Sequence, residues 1–134
     1  VSLKIFKKYP LFGVANKNFR HECHNKKYFD DKIRLSNQRC STHPHQIHFE
    51  LLSEHGIIGY IFFLIMIFAG LKKIYNNYTE TRSIFYLSSL IYLTIFLIPI
   101  LPSGSFFSTF NGALFWVIFS IGNIKKEIFL GKAI

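Results

Sequence analysis

His45 is the side chain best placed in this sequence to move a proton, and Arg20 the one best placed to hold an anion. His45 is followed by Gln46, then by nine residues, then by Gly56-x-x-Gly59, where a polar segment gives way to an apolar one. An ionisable group at the lip of a hydrophobic helix is costly there, so it reads as a functional position before it reads as packing. With an ordinary pKa of about 6.5, an imidazole can take a proton from an attacking hydroxyl near neutral pH. A guanidinium grips a diphosphate through a bidentate fork, and neighbouring lysines add point charge. A cationic, histidine-bearing surface at a membrane boundary suits a ligand with an anionic head and an apolar tail, such as a polyprenyl diphosphate. Diphosphate is a good leaving group, so one base plus cationic stabilisation would suffice. Plainer readings stay open beside this one. Arg20 could be a solvated loop residue or a headgroup anchor, and His45 a helix-start residue satisfied by water.

Other chemistries fare worse. The chain has 6 histidines and 2 cysteines, and His21, Cys23, His24, Cys40, His43, His45 and His48 invite a metal reading. Their spacing fits no familiar finger or ribbon, and no His-Glu-x-x-His occurs. No metal site is therefore assigned. A non-enzymatic membrane module with a metal-binding His/Cys-rich head remains the alternative function. Paired-carboxylate catalysis is poorly supported: Glu22, Asp30, Asp31, Glu50 and Glu54 are the head's acids, and a helical wheel turns Glu50 and Glu54 away from His45. No glycine-rich phosphate loop or serine nucleophile elbow is present. The net charge of +9 comes from scattered residues without a binding motif, which argues against a nucleic-acid partner.

The elements that must carry His45 and Arg20 are membrane helices and a polar head. Half of the 134 residues are hydrophobic and 16 are phenylalanine, which fits an all-α polytopic membrane protein better than a soluble domain. Three spans are expected, at about 47–71, 84–101 and 106–123, giving a membrane region over 56–124. Each is close to the roughly 20 residues needed for a ~30 Å hydrocarbon core. His43-Pro44 is expected to start the first helix, with His43 as cap and Pro44 in the first turn. His45, His48, Phe49, Leu52, Gly56 and Gly59 then share one face, and the small residues offer a strip for a lipid or another helix. Ser2–Tyr9 suggests a short amphipathic helix ended by Pro10, and Gly13 a turn with positive φ. Residues 21–42 read as loop.

Lys72, Lys73 and Arg82 after the first span, and Lys125, Lys126 and Lys132 after the third, place those segments in the cytoplasm. Of the head's basic residues only Arg39 lies close enough to a span to count against this. Residues 1–55 and the turn from Pro102 to Gly112 fall on the opposite side, and 125–134 form a cytoplasmic tail. In a non-cytoplasmic compartment Cys23 and Cys40 are expected to pair. The bridge would close a loop of about 18 residues, worth roughly 3 kcal/mol in the chain-entropy model. A polar head followed by three spans, beginning with Val rather than Met, reads as the C-terminal piece of a longer membrane protein.

Several segments together resemble the bacterial O-antigen ligases and the related O-antigen polymerases. The His45-Gln46, nine residues, Gly56-x-x-Gly59 pattern is similar to that family's signature. Pro10-Leu11-Phe12-Gly13-Val14 with Asn18-Phe19-Arg20 resembles its Pro-x-x-Gly-x-Gly…Phe-Arg segment in a large periplasmic loop, with Ala15 in place of the second glycine. Cys40-Ser41-Thr42-His43-Pro44-His45, with an upstream cysteine like Cys23, and the segment from Pro102 to Gly112 resemble one branch. Gln46 stands where Asn is commoner. The resemblance implies a glycosyltransferase of the bacterial inner membrane, working without metal or cofactor, with residues 1–55 periplasmic. Its donor would be an undecaprenyl-diphosphate-linked glycan and its acceptor a lipid A core sugar or another lipid-linked glycan. His45 would activate the acceptor hydroxyl and Arg20 would bind the diphosphate. Without the spans that precede this stretch in the family, the chain by itself is expected to be inactive.

Overall fold

A computed structural model describes residues 1–29, 40–99, 101 and 104–124. Asp30, Asp31, Arg39, Pro102, Ser103, Lys125, Lys126 and Lys132, and with them the expected tail 125–134, lie outside the described residues. The described residues form helices and turns, with no strand among them. In chain order these are α1 (Ser2–Lys8), α2 (Phe19–Glu22), a 3-10 turn at Lys26–Tyr28, α3 (Ile47–Thr81), α4 (Ile84–Phe96) and α5 (Thr109–Gly122). The short amphipathic helix at the start is present as expected. Two short helical pieces occupy part of the stretch read as loop.

Helix α3 is 35 residues long and apolar enough to cross a membrane. It is not straight. Gly56 sits at φ 65° and ψ −168°, dividing the helix into a short arm, 47–55, and a long arm, 57–81. That backbone region is essentially closed to residues with a Cβ. The break is filled by the segment after α1. The Ile57 and Ile58 amides donate to the carbonyls of Pro10 and Leu11, at 2.8 and 3.3 Å. In return, the Val14 and Ala15 amides donate to the carbonyls of Ser53 and Glu54, at 3.0 and 2.8 Å. A helix that loses its own i→i−4 ladder must find other partners for those groups. Here the chain's own N-terminal turn supplies them. Gly13, at φ 66°, lies so close that a Cβ would land on the Glu54 carbonyl group. The positive φ expected at Gly13 is therefore tied to this docking.

The start of α3 differs from expectation. Gln46, not His43, is the N-cap, and its side-chain oxygen accepts the Phe49 amide at 2.9 Å. Pro44 is buried ahead of the helix, and His45 stands outside it. The single wheel from His45 to Gly59 is thus interrupted twice, at Gln46 and at Gly56. The close approach at Gly56 is made by the Leu11–Phe12 backbone, onto which a Cβ would fall.

The later helices are shorter than the expected spans. α4 has 13 residues and α5 has 14, or about 20 Å each at 1.5 Å per residue. α4 ends at Phe96 because Ile98 precedes Pro99, and a residue before proline is pushed out of the α region. α5 starts only at Thr109, where Ser108 caps the Asn111 amide. The long arm packs with α4 and α5 around Phe63, Ile67, Ile74, Tyr86, Leu93, Phe106 and Phe115. A second, smaller core of Ile5, Phe19, Cys23 and Tyr28 holds the head together. His48 joins the two arms of α3 to α4. Its Nε2 meets the Leu97 carbonyl at 2.9 Å, and its Nδ1 meets the Tyr60 hydroxyl at 2.9 Å. A carbonyl only accepts, so Nε2 carries the proton.

Candidate functional site

Three polar segments converge on the short arm of α3. The two glutamates of that arm hold two of them. Glu54, 1% exposed, accepts the Lys17 amide at 2.8 Å and the Phe19 amide at 3.2 Å. Glu50, also 1% exposed, accepts the Ser105 hydroxyl and the Phe106 amide, both at 2.7 Å. Residues four apart lie on one helix face, so one strip of α3 fastens the turn before α2 and the turn before α5. A buried carboxylate is tolerated only when its oxygens are satisfied in this way.

The third segment is His43-Pro44-His45. The Cys23–Cys40 bond ties its approach to the end of α2, with Cα atoms 5.3 Å apart. The Ser41 hydroxyl donates to the His43 carbonyl at 2.6 Å, and Thr42 Oγ1 lies 2.9 Å from His43 Nδ1. The His43 and His45 rings pack edge to face at 4.8 Å. Burial, and then the neighbouring His45, push the His43 pKa below its usual 6.5. Both effects favour the neutral imidazole over the charged one.

Between these segments opens a cleft of about 250 Å³ lined by Lys17, Arg20, Thr42, His43, Glu50, Glu54, Ser105, Phe107 and Ser108. Arg20 lines it, with its Nε donating to the Lys17 carbonyl at 3.1 Å. A second open pocket shares Arg20 and Thr42 with the cleft and is bordered also by His21, His24, Cys40 and Ser41. His45 is exposed beside His43 and is not among the residues of the cleft wall.

Sequence reasoning singled out Arg20, His45 and the cysteines, assigned no role to Glu50 or Glu54, and read His43 as a helix cap. The wheel that set the glutamates apart from His45 assumed His45 to be helical. The available signal was the pair of acids at i, i+4 in an apolar setting, which demands partners. Cys23, His24 and Cys40 do come together, with possible ligand atoms within 4.8 Å of one another. Both sulfurs are spent in the bridge, however, and a metal needs thiolates.

Residues 1–64 match the O-antigen ligase family model. No curated protein and no solved structure matches the chain. The matched stretch contains α1, the docking turn, Arg20, both cysteines, His43, His45 and both glutamates, which is every wall of the cleft except the 105–108 turn. Over residues 1–64 the chain is thus similar to the O-antigen ligase family.

Proposed function

We propose that the chain belongs to a lipid-diphosphate-dependent glycosyltransferase that moves a glycan from an undecaprenyl-diphosphate carrier to a sugar hydroxyl in cell-surface polysaccharide synthesis. The observation that carries this reading is the position of the family match, which falls on the residues that bring Arg20 and His43 to one cleft, with His45 packed against His43. In this reading Arg20 and Lys17 hold the diphosphate. The acceptor hydroxyl attacks the anomeric carbon and gives its proton to His45. The bond between that carbon and the diphosphate oxygen breaks, and undecaprenyl diphosphate leaves with the electron pair. Neutral His43 beside His45 can accept a hydrogen bond without competing as a cation. Residues 1–55 face the periplasm, and α3, α4 and α5 with their flanks make three passes through the bacterial inner membrane. The acceptor is a lipid A core sugar or another lipid-linked glycan.

The test is glycan transfer from a lipid-diphosphate donor by the protein expressed from its complete reading frame, wild type against His45→Ala at matched membrane levels. Loss of transfer with normal insertion supports His45 as the base. Transfer that continues unchanged removes His45 from the chemistry and leaves the family match as a mark of ancestry.

A further inference from the structure

The turn that carries Lys17 and leads into Arg20 has an unfavourable backbone. Ala15 and Lys17 stand at φ 73° and 61°, both in the left-handed region although neither is glycine. L-residues persist there only when their surroundings hold them. Two left-handed residues within three positions therefore call for an agent, and one residue touches both. The Glu54 main-chain carbonyl accepts the Ala15 amide at 2.8 Å, while its carboxylate accepts the amides of Lys17 and Phe19. The hold continues outward, because the Lys17 carbonyl in turn accepts Arg20 Nε. A line of contacts thus runs from a fully buried carboxylate, through a strained turn, to the guanidinium on the cleft wall.

From this we propose that Glu54 is a positioning residue, which fixes the Ala15–Phe19 turn so that Arg20 faces a diphosphate. The diphosphate part rests on the functional reading above. Glu54 borders the cleft, but its two carboxylate oxygens accept the Lys17 and Phe19 amides. It acts through the Lys17 main chain, whose carbonyl engages Arg20 Nε. Glu54→Gln keeps the size but leaves a single oxygen acceptor, so one of the two amides loses its partner.

The experiment measures binding of undecaprenyl diphosphate by the protein, made from its complete reading frame, in phosphatidylcholine nanodiscs. Wild type is compared with Glu54→Gln, Arg20→Ala and the double variant, with amide hydrogen exchange followed at Lys17 and Phe19. The expected result is about tenfold weaker binding for Glu54→Gln and faster exchange confined to 15–20. The double variant should bind no more weakly than Arg20→Ala alone, because Glu54 acts through Arg20. Binding losses that simply multiply in the double variant overturn the proposal, as does wild-type binding by Glu54→Gln. If Arg20→Ala binds as well as wild type, the diphosphate reading of Arg20 fails. In that event exchange still decides the hold on the turn: acceleration at 17 and 19 upholds it, and unchanged exchange refutes it.

Discussion

Replacing Gly56 by alanine tests whether the signature glycine belongs to a helix face or to a helix break, because the two predict opposite signs. In a continuous helix, Gly→Ala removes a flexible residue from the interior and stabilises by about 1 kcal/mol. In the structure Gly56 holds φ 65° and ψ −168°, and forcing a residue with a Cβ there costs about 1–3 kcal/mol. The new Cβ would also strike the Leu11 carbonyl group and come within 2.6 Å of the Phe12 nitrogen. Those are backbone atoms, so the N-terminal turn must move away. Moving it strains the Ile57–Pro10 and Ile58–Leu11 hydrogen bonds, each worth about 0.5–1.5 kcal/mol. The expected loss is roughly 2–6 kcal/mol. Unfolding by titration with a denaturing detergent in mixed micelles reads it directly. An alanine variant as stable as wild type, or more stable, would refute the break and restore the continuous wheel.

Two further outcomes follow from the head. Protein prepared without reductant should show no reactive thiol, and replacing Cys23 and Cys40 by serine should cost about 3 kcal/mol; two titratable thiols would contradict the bridge. Because the folded His43 pKa lies below 6.5, the unfolded chain takes up a proton first as the pH falls. Stability from this group is thus complete above about pH 6.5 and lost as the pH drops towards the lowered folded value. Melting compared at about pH 7 and pH 5 should show a smaller difference in His43→Gln than in wild type; an equal difference would exclude His43 as a source.

What the sequence made legible was local. A lysine-rich amphipathic start and a glycine wanting positive φ both depend on neighbours within a turn, and α1 and Gly13 are where such rules put them. Two nearby cysteines in a polar head likewise carried their own partner. The extent of the apolar helices was read less well. Apolar runs continue through residues whose backbone is already committed elsewhere: Ile98 by the following proline, and Phe106 by its amide bond to Glu50. Hydrophobicity marks what is kept from water, not where the helical ladder stops.

The two glutamates show why the site itself was harder to see. Periodicity assigns a residue to a face, but that holds only while the helix runs unbroken. Between His45 and Gly59 the chain enters its helix at Gln46 and leaves helical geometry at Gly56. His45 therefore cannot be compared with Glu50 on one wheel. What decides the placement of Glu50 and Glu54 is long-range: their amide and hydroxyl partners are 35 to 56 positions away. Such contacts leave one local trace, an acid with no nearby cation in an apolar run. Read as a demand for donors, that trace would have placed two turns against the short arm before any coordinate was known. The same demand explains why the break at Gly56 and the cleft occur together. A helix opened by a glycine exposes amides and carbonyls that only another backbone segment can satisfy, and the segment that does so leads directly, through Glu54, to Arg20.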